Sequence, residues 1–139
     1  MKLVSIVVPV YNEEDNLREF HKRITEVMEK EPYDYKIVFV NDGSSDNSAV
    51  ILSELAKEDN HVEAYLLSRN YGHQMALTCG LDNAEGDAIV TMDGDMQHPP
   101  EVVPQLLRLW EEGNEIVITK RLATGDAGFS KNITSSAYY

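Results

Sequence analysis

The chain has 139 residues and a mass of 15.7 kDa, the length of one ordinary domain, and its 42% hydrophobic content is enough to bury a sizeable core. Twelve Lys and Arg against 24 Asp and Glu leave a formal charge of −12 and a pI near 4.6. That balance argues against a nucleic-acid binder, which needs a basic footprint, and the one cysteine, Cys79, excludes an internal disulfide framework or a Cys-rich zinc site.

Leu3–Val10 is a nearly unbroken Val/Ile run, the pattern of a strand buried on both faces. It is too short for a secretory leader, and acidic residues follow it where a cleavage site would lie. Asn12 then reads as a helix N-cap, with Glu13, Glu14 and Asp15 in the first turn. Leu17, Phe20, Ile24, Val27 and Met28 recur at helical spacing before Pro32. Tyr35–Val40 is a second strand. Ser45 or Asp46 caps a second helix with Val50, Ile51 and Leu55 on its apolar face.

Val62–Leu67 is a third strand, and His73–Asn83 a helix weakened by Gly80. Ala88–Met92 forms the fourth strand. Pro99 and Pro100 start a helix whose stripe is Val102, Val103, Leu106, Leu107 and Trp110, ending at Gly113. Glu115–Thr119 is a fifth strand. No run approaches the roughly 18–20 apolar residues of a membrane span. Alternating strands and helices define an α/β domain over residues 1–139 with a mostly parallel sheet. His21 and His61 read as surface residues; Cys79, the methionines and Trp110 read as core.

Such sheets bind ligands beyond the carboxyl ends of their strands. Three polar clusters fall there: Pro9-Val10-Tyr11-Asn12-Glu13, Asn41-Asp42-Gly43-Ser44-Ser45-Asp46, and Asp93-Gly94-Asp95-Met96-Gln97. Taken singly, the first two read as capping and turn chemistry. In the third, two carboxylates stand at i and i+2, with Gly94 allowing a tight turn. Their mutual repulsion can be relieved by a hard divalent cation, whose open positions a diphosphate can fill; the other reading is a pair of solvated loop carboxylates. The charge of −12 points the same way, since an anionic substrate approaches only with a cation between. No G-x-G-x-x-G follows the first strand, and neither a P-loop nor a G-x-S-x-G elbow occurs. His73 and His98 lie near the clusters and read as hydrogen-bonded histidines, with phosphate contact as the other reading.

Val8–Glu14, Val40–Asp46 and Asp93–Glu101, which contain these clusters, resemble the family-2 glycosyltransferases of Rossmann-like GT-A fold. Ser68-Arg69-Asn70-Tyr71-Gly72-His73-Gln74 and the Ala76–Gly80 stretch narrow the resemblance to the branch that charges a polyprenyl phosphate (dolichol or bactoprenol phosphate) with one sugar. The resemblance implies that Pro9, Tyr11, Glu13, Asp42, Arg69 and Asp93 line the nucleotide pocket. It implies that Asp42 contacts base or ribose, and that Asp93, Asp95 and Gln97 surround Mg²⁺ or Mn²⁺. Lys120 and Arg121 occupy the place of the cations that meet the lipid phosphate, so the catalytic set is Asp93, Asp95, Lys120 and Arg121.

The implied reaction is inverting transfer from a UDP-glucose or GDP-mannose type of donor to a lipid phosphate on the cytoplasmic side of a membrane. The Arg69–Gln74 segment is closer to the bacterial glucosyltransferases. Catalytic domains of this type continue past the fifth strand, so the chain reads as their N-terminal portion, with membrane contact in the continuation. The stretch 128–139 resembles the start of the acceptor-side segment, where an interfacial helix would lie. Two further readings stand beside the lipid-directed enzyme: a nucleotide-sugar binding module without turnover, and a soluble family-2 transferase acting on polysaccharide or protein.

Overall fold

The structure, a computed structural model, describes residues 1–97, 99–114, 116–119 and 133–136. Four parallel strands form the main sheet: β1 (Leu3–Val10), β2 (Asp34–Asn41), β3 (Val62–Leu66) and β4 (Ala88–Thr91), in the order β3-β2-β1-β4. Helices α1 (Leu17–Glu29), α2 (Ser48–Glu58), α3 (His73–Asn83) and α4 (Val103–Glu111) separate or follow them, and a 3₁₀ turn over Pro100–Val102 leads into α4.

The register aligns the strand ends. Val10 pairs with Asn41, and Asn41 with Leu66, so β1, β2 and β3 finish together. Thr91 pairs with Val7, which brings Asp93 level with Pro9. The loops after β1, β2 and β4 therefore leave from one edge.

The apolar run of β1 is explained by helices on both faces. Val4, Ile6, Val8 and Val10 pack with Phe20 and Ile24 of α1, Leu52 and Leu55 of α2, and Val103 and Leu107 of α4. Phe20 meets Phe39 edge-on at 6.0 Å. On the opposite face α3 lies close against Val7 and Val40. A Cβ at Gly80 would stand 2.4 Å from Val7 Cγ1, so this glycine lets the helix approach the sheet.

Several local expectations are corrected. Asn12 does not cap α1: its φ is +53°, and its Oδ1 accepts from the amides of Ser45 (2.8 Å) and Asp46 (3.3 Å). A turn from Glu13 to Asn16 intervenes, so α1 begins at Leu17 and Glu13, Glu14 and Asp15 precede its first turn. On α2, Val50 is exposed because the stripe that meets the sheet is Ser48, Leu52 and Leu55. Asp46 does hold the start of that helix, accepting from the Ser48 amide at 2.9 Å. Met28 and Met92 are core, whereas Met1 and Met75 are exposed and Cys79 is half-buried. Trp110 packs on the core's edge, beneath the Lys2 ammonium at 5.0 Å.

His21 and His61 are not simple surface residues either. They converge on Asp59 from both sides, His21 Nε2 at 2.8 Å from Oδ2 and His61 Nδ1 at 2.8 Å from Oδ1, and His61 stacks on Tyr35. Beyond α4, β5 (Ile116–Thr119) pairs antiparallel with β6 (Ile133–Ser136) in a separate two-stranded sheet. Part of the stretch in which an interfacial helix would lie is thus a strand, in keeping with its β-branched Ile133 and Thr134.

Candidate functional site

The common edge opens into a cavity of about 350 Å³. Pro9, Tyr11 and Glu13 enter it from the end of β1, Asp42 from β2, and Asp93, Gly94 and Asp95 from β4. Asn70, Gly72, His73 and Ala76, from the β3–α3 loop and the start of α3, complete its wall. The N-terminal end of α3 therefore borders the cavity, and its free N–H groups favour an anion there.

Hydrogen bonds crossing between loops hold the first two strand ends together. Ser44 Oγ accepts from the Asn12 amide (2.9 Å), Ser48 Oγ from the Glu13 amide (3.0 Å), and Asp46 from the Glu14 amide (3.2 Å). Asn12 and Ser45, read singly as caps, are the reciprocal half of this clasp. Burial raises the Asp46 pKa, but the Ser48 and Glu14 hydrogen bonds outweigh it and leave the carboxyl below its ordinary value.

Asp42 is only 3% exposed. Its Oδ1 accepts from the Tyr71 amide at 2.7 Å, and its Oδ2 from the Gly72 amide at 3.0 Å and Asn70 Nδ2 at 3.3 Å. A buried carboxylate costs several kcal/mol unless satisfied, and here one loop satisfies it. Gly43 makes the approach possible: its φ is +65°, and a Cβ would sit 2.2 Å from the carbonyl carbon of Arg69 and the nitrogen of Asn70. Asp42 thus lines the cavity while fixing the β3–α3 loop.

At the end of β4 the tight turn falls on Met96 (φ +67°) rather than on Gly94, which is buried against Val8 and Val10. Asp95 Oδ1 accepts from the Gln97 amide at 3.0 Å. Asp93 Oδ1 is 3.1 Å from His73 Nε2. Among the described residues, the second oxygen of each carboxylate carries no hydrogen bond, and neither side chain pairs with Lys or Arg. Two half-anchored carboxylates facing a cavity form a donor set suited to Mg²⁺ or Mn²⁺, which take one or two carboxylates and fill the remainder with water and phosphate oxygens. They do not form a closed protein cage: no cluster of three or more such ligands occurs among the described residues.

Pro9, Tyr11, Glu13, Asp42, Asp93 and Asp95 thus share one cavity. Arg69 does not line it; its guanidinium lies over the Tyr71 ring at 4.6 Å. Gln97 is exposed and contributes its backbone amide to Asp95. Lys120, Arg121 and His98 lie outside the described residues. Sequence reasoning gave Asn70 and Gly72 no role of their own. Gly72 carried a signal, since its φ of +104° is one that glycine supplies readily.

Carboxylates massed at the carboxyl ends of a parallel α/β sheet, over a cavity large enough for a small ligand, define a ligand-binding domain of Rossmann-like type. The chain belongs to glycosyl transferase family 2, whose model matches residues 5–138. It is 45% identical over 129 residues to the undecaprenyl-phosphate 4-deoxy-4-formamido-L-arabinose transferase of Proteus mirabilis, covering 92% of this chain and 40% of that enzyme. It is 41% identical over 136 residues to the bactoprenol glucosyl transferase of Shigella phage SfV, covering 98% of this chain and 44% of that enzyme. The chain thus spans about two fifths of the length of these relatives. Among solved structures, the mannosyltransferase PcManGT from Pyrobaculum calidifontis, in complex with GDP-Man and Mn²⁺, superposes with a TM-score of 0.72. That match has 19% identity and covers 91% of this chain and 37% of that one, and it shows a shared GT-A fold.

Proposed function

We propose that this chain forms the donor side of a transferase that moves one sugar from a nucleotide-diphosphate sugar to a polyprenyl phosphate, with inversion at the anomeric carbon. The observation that carries the reading is the convergence of Tyr11, Glu13, Asp42, Asp93 and Asp95 from three strand ends on one cavity. The lipid acceptor is supported by the two relatives named for undecaprenyl phosphate and bactoprenol.

Pro9, Tyr11, Glu13 and Asp42 would form the nucleoside side, Tyr11 offering a half-exposed ring to a base or ribose. Asp93 and Asp95 would hold Mg²⁺ or Mn²⁺ through their free oxygens, with Gln97 beside them. The cation supplies charge neutralisation for the departing diphosphate. The start of α3 adds its N–H groups to the same end of the cavity.

In the transfer, an oxygen of the lipid phosphate bonds to the anomeric carbon from the face opposite the diphosphate. The carbon–oxygen bond to the diphosphate breaks, and its electron pair leaves with the diphosphate oxygen. A phosphate nucleophile is already anionic near neutral pH, so catalysis rests on positioning and electrostatics more than on a strong base. Lys120 and Arg121 are assigned to the acceptor phosphate, and Arg69 to bracing the pocket from outside.

The test is thermal melting with UDP or GDP, each with Mn²⁺ and with a chelator. Ligand at one hundred times its Kd raises stability by about 2.7 kcal/mol. A manganese-dependent shift with one nucleotide supports the donor site and names its base. Asp95→Ala removes that shift while melting as the unliganded protein does; an unchanged Mn²⁺-dependent shift in this variant overturns the metal assignment. Transfer from the matching nucleotide sugar to undecaprenyl phosphate separates the enzyme from a binding module, and transfer to a polysaccharide instead overturns the lipid acceptor.

A further inference from the structure

Resting on that reading, we propose that His73 is a positioning residue for the metal–diphosphate site: it fixes one oxygen of Asp93 so that the other faces the cation. A carboxylate only accepts, so at 3.1 Å it is His73 Nε2 that donates to Asp93 Oδ1. The neighbouring carboxylate is held in the same manner by a different donor, the Gln97 amide on Asp95 Oδ1 at 3.0 Å. Among the described residues, each carboxylate is thereby left with one oxygen that carries no hydrogen bond. Unanchored, both side chains would be free to rotate, and a cation would have to order both at an entropic cost.

His73 is itself well placed to be a fixed donor. It is the first residue of α3 and follows Gly72, whose amide is bound to the buried Asp42 at 3.0 Å. Three residues on, Ala76 is fully buried, and Gly80 seats the helix against Val7 and Val40. A continuous chain of contacts therefore runs from the end of β2 through Asp42, Gly72 and His73 to Asp93 at the end of β4. The nucleoside and metal sides of the cavity share one support.

Stability does not account for the contact. The side chains of His73 and Asp93 are 59% and 45% exposed, and exposed pairs of this kind add little to folding. Outer partners of metal-binding carboxylates, in contrast, commonly set metal affinity, and their removal costs about 10–100-fold.

The experiment is a Mn²⁺ titration of the purified protein by electron paramagnetic resonance. It is run with saturating UDP or GDP, whichever raises the melting temperature, on the wild type, His73→Ala and His73→Gln. Melting of each unliganded protein is recorded alongside. The expected result is that His73→Ala weakens Mn²⁺ binding by about 10–100-fold at unchanged melting temperature. His73→Gln, whose amide nitrogen replaces Nε2, recovers most of the affinity. Mn²⁺ affinity within twofold of wild type in His73→Ala overturns the inference and leaves the metal site standing. Equal loss in His73→Ala and His73→Gln at unchanged melting overturns the donor role. A wild type that binds no Mn²⁺ overturns both the metal site and the inference resting on it.

Discussion

The two ends of the parallel sheet treat their charges in opposite ways. At the amino end, charge is matched locally. Lys2 meets Glu111 at 2.8 Å and lies over Trp110, while Asp59 is clamped between His21 and His61. At the carboxyl end, Asp42 and Asp95 are anchored by backbone amides, Asp93 by one imidazole, and among the described residues none of the three meets Lys or Arg. At one end each of these carboxylates is held by two side chains, Glu111 by Lys2 and Tyr33 and Asp59 by His21 and His61. The other leaves negative charge directed at a cavity, which suits a cation and the phosphates it brings.

This contrast can be broken first at Gly43. Gly43→Ala combines a φ of +65° with backbone atoms 2.2 Å from the new Cβ, and the expected loss is about 3–5 kcal/mol, measured by denaturant unfolding. The same change should loosen the β3–α3 loop and abolish the nucleotide-dependent melting shift. Next comes Asp93→Asn, which removes charge from the open end while preserving shape. The Mn²⁺-dependent melting shift with nucleotide should be lost with the unliganded melting temperature unchanged.

Asp59→Asn probes the closed end. Burial pushes the Asp59 carboxyl up, but the His61 amide and the His21 and His61 imidazoles pull it further down, so its folded pKa lies below the ordinary value. Its contribution is therefore fully present above the unfolded carboxylate pKa of about 3.9 and is lost as pH falls through the lower folded value. The variant should be about 1–3 kcal/mol less stable at pH 7, and the difference should shrink on acidification through that window. Nucleotide affinity should stay as in the wild type. The smallest effect is expected for Lys2→Met, where an exposed pair is lost and packing on Trp110 is largely kept; calorimetry should find the melting temperature almost unmoved.

Much of the site was legible before the fold because its residues cluster in the chain. Asp93 and Asp95 stand two residues apart, Asn41 to Asp46 are contiguous, and the nearly unbroken Val/Ile run ahead of Pro9 announces a strand buried on both faces. What could not be read were partners chosen across loops. Asn12 and Ser45 both look like helix caps when read locally, yet they bind each other's loops. For Asp42 the readings were turn chemistry or a base contact; that its carboxylate also holds three donors from residues 70–72 could not be read. His21 and His61, forty residues apart, revealed no shared carboxylate.

By itself the sequence determined the strand and helix order, the α/β class and the chemical types gathered at the strand ends, because periodicity and local spacing encode those directly. Tertiary structure decided which oxygen of each carboxylate is tied, that Gly43 admits the β3–α3 loop, and that His73 reaches Asp93. Those facts depend on strand register and on helix-to-sheet distance, and both are set by packing between segments far apart in the chain.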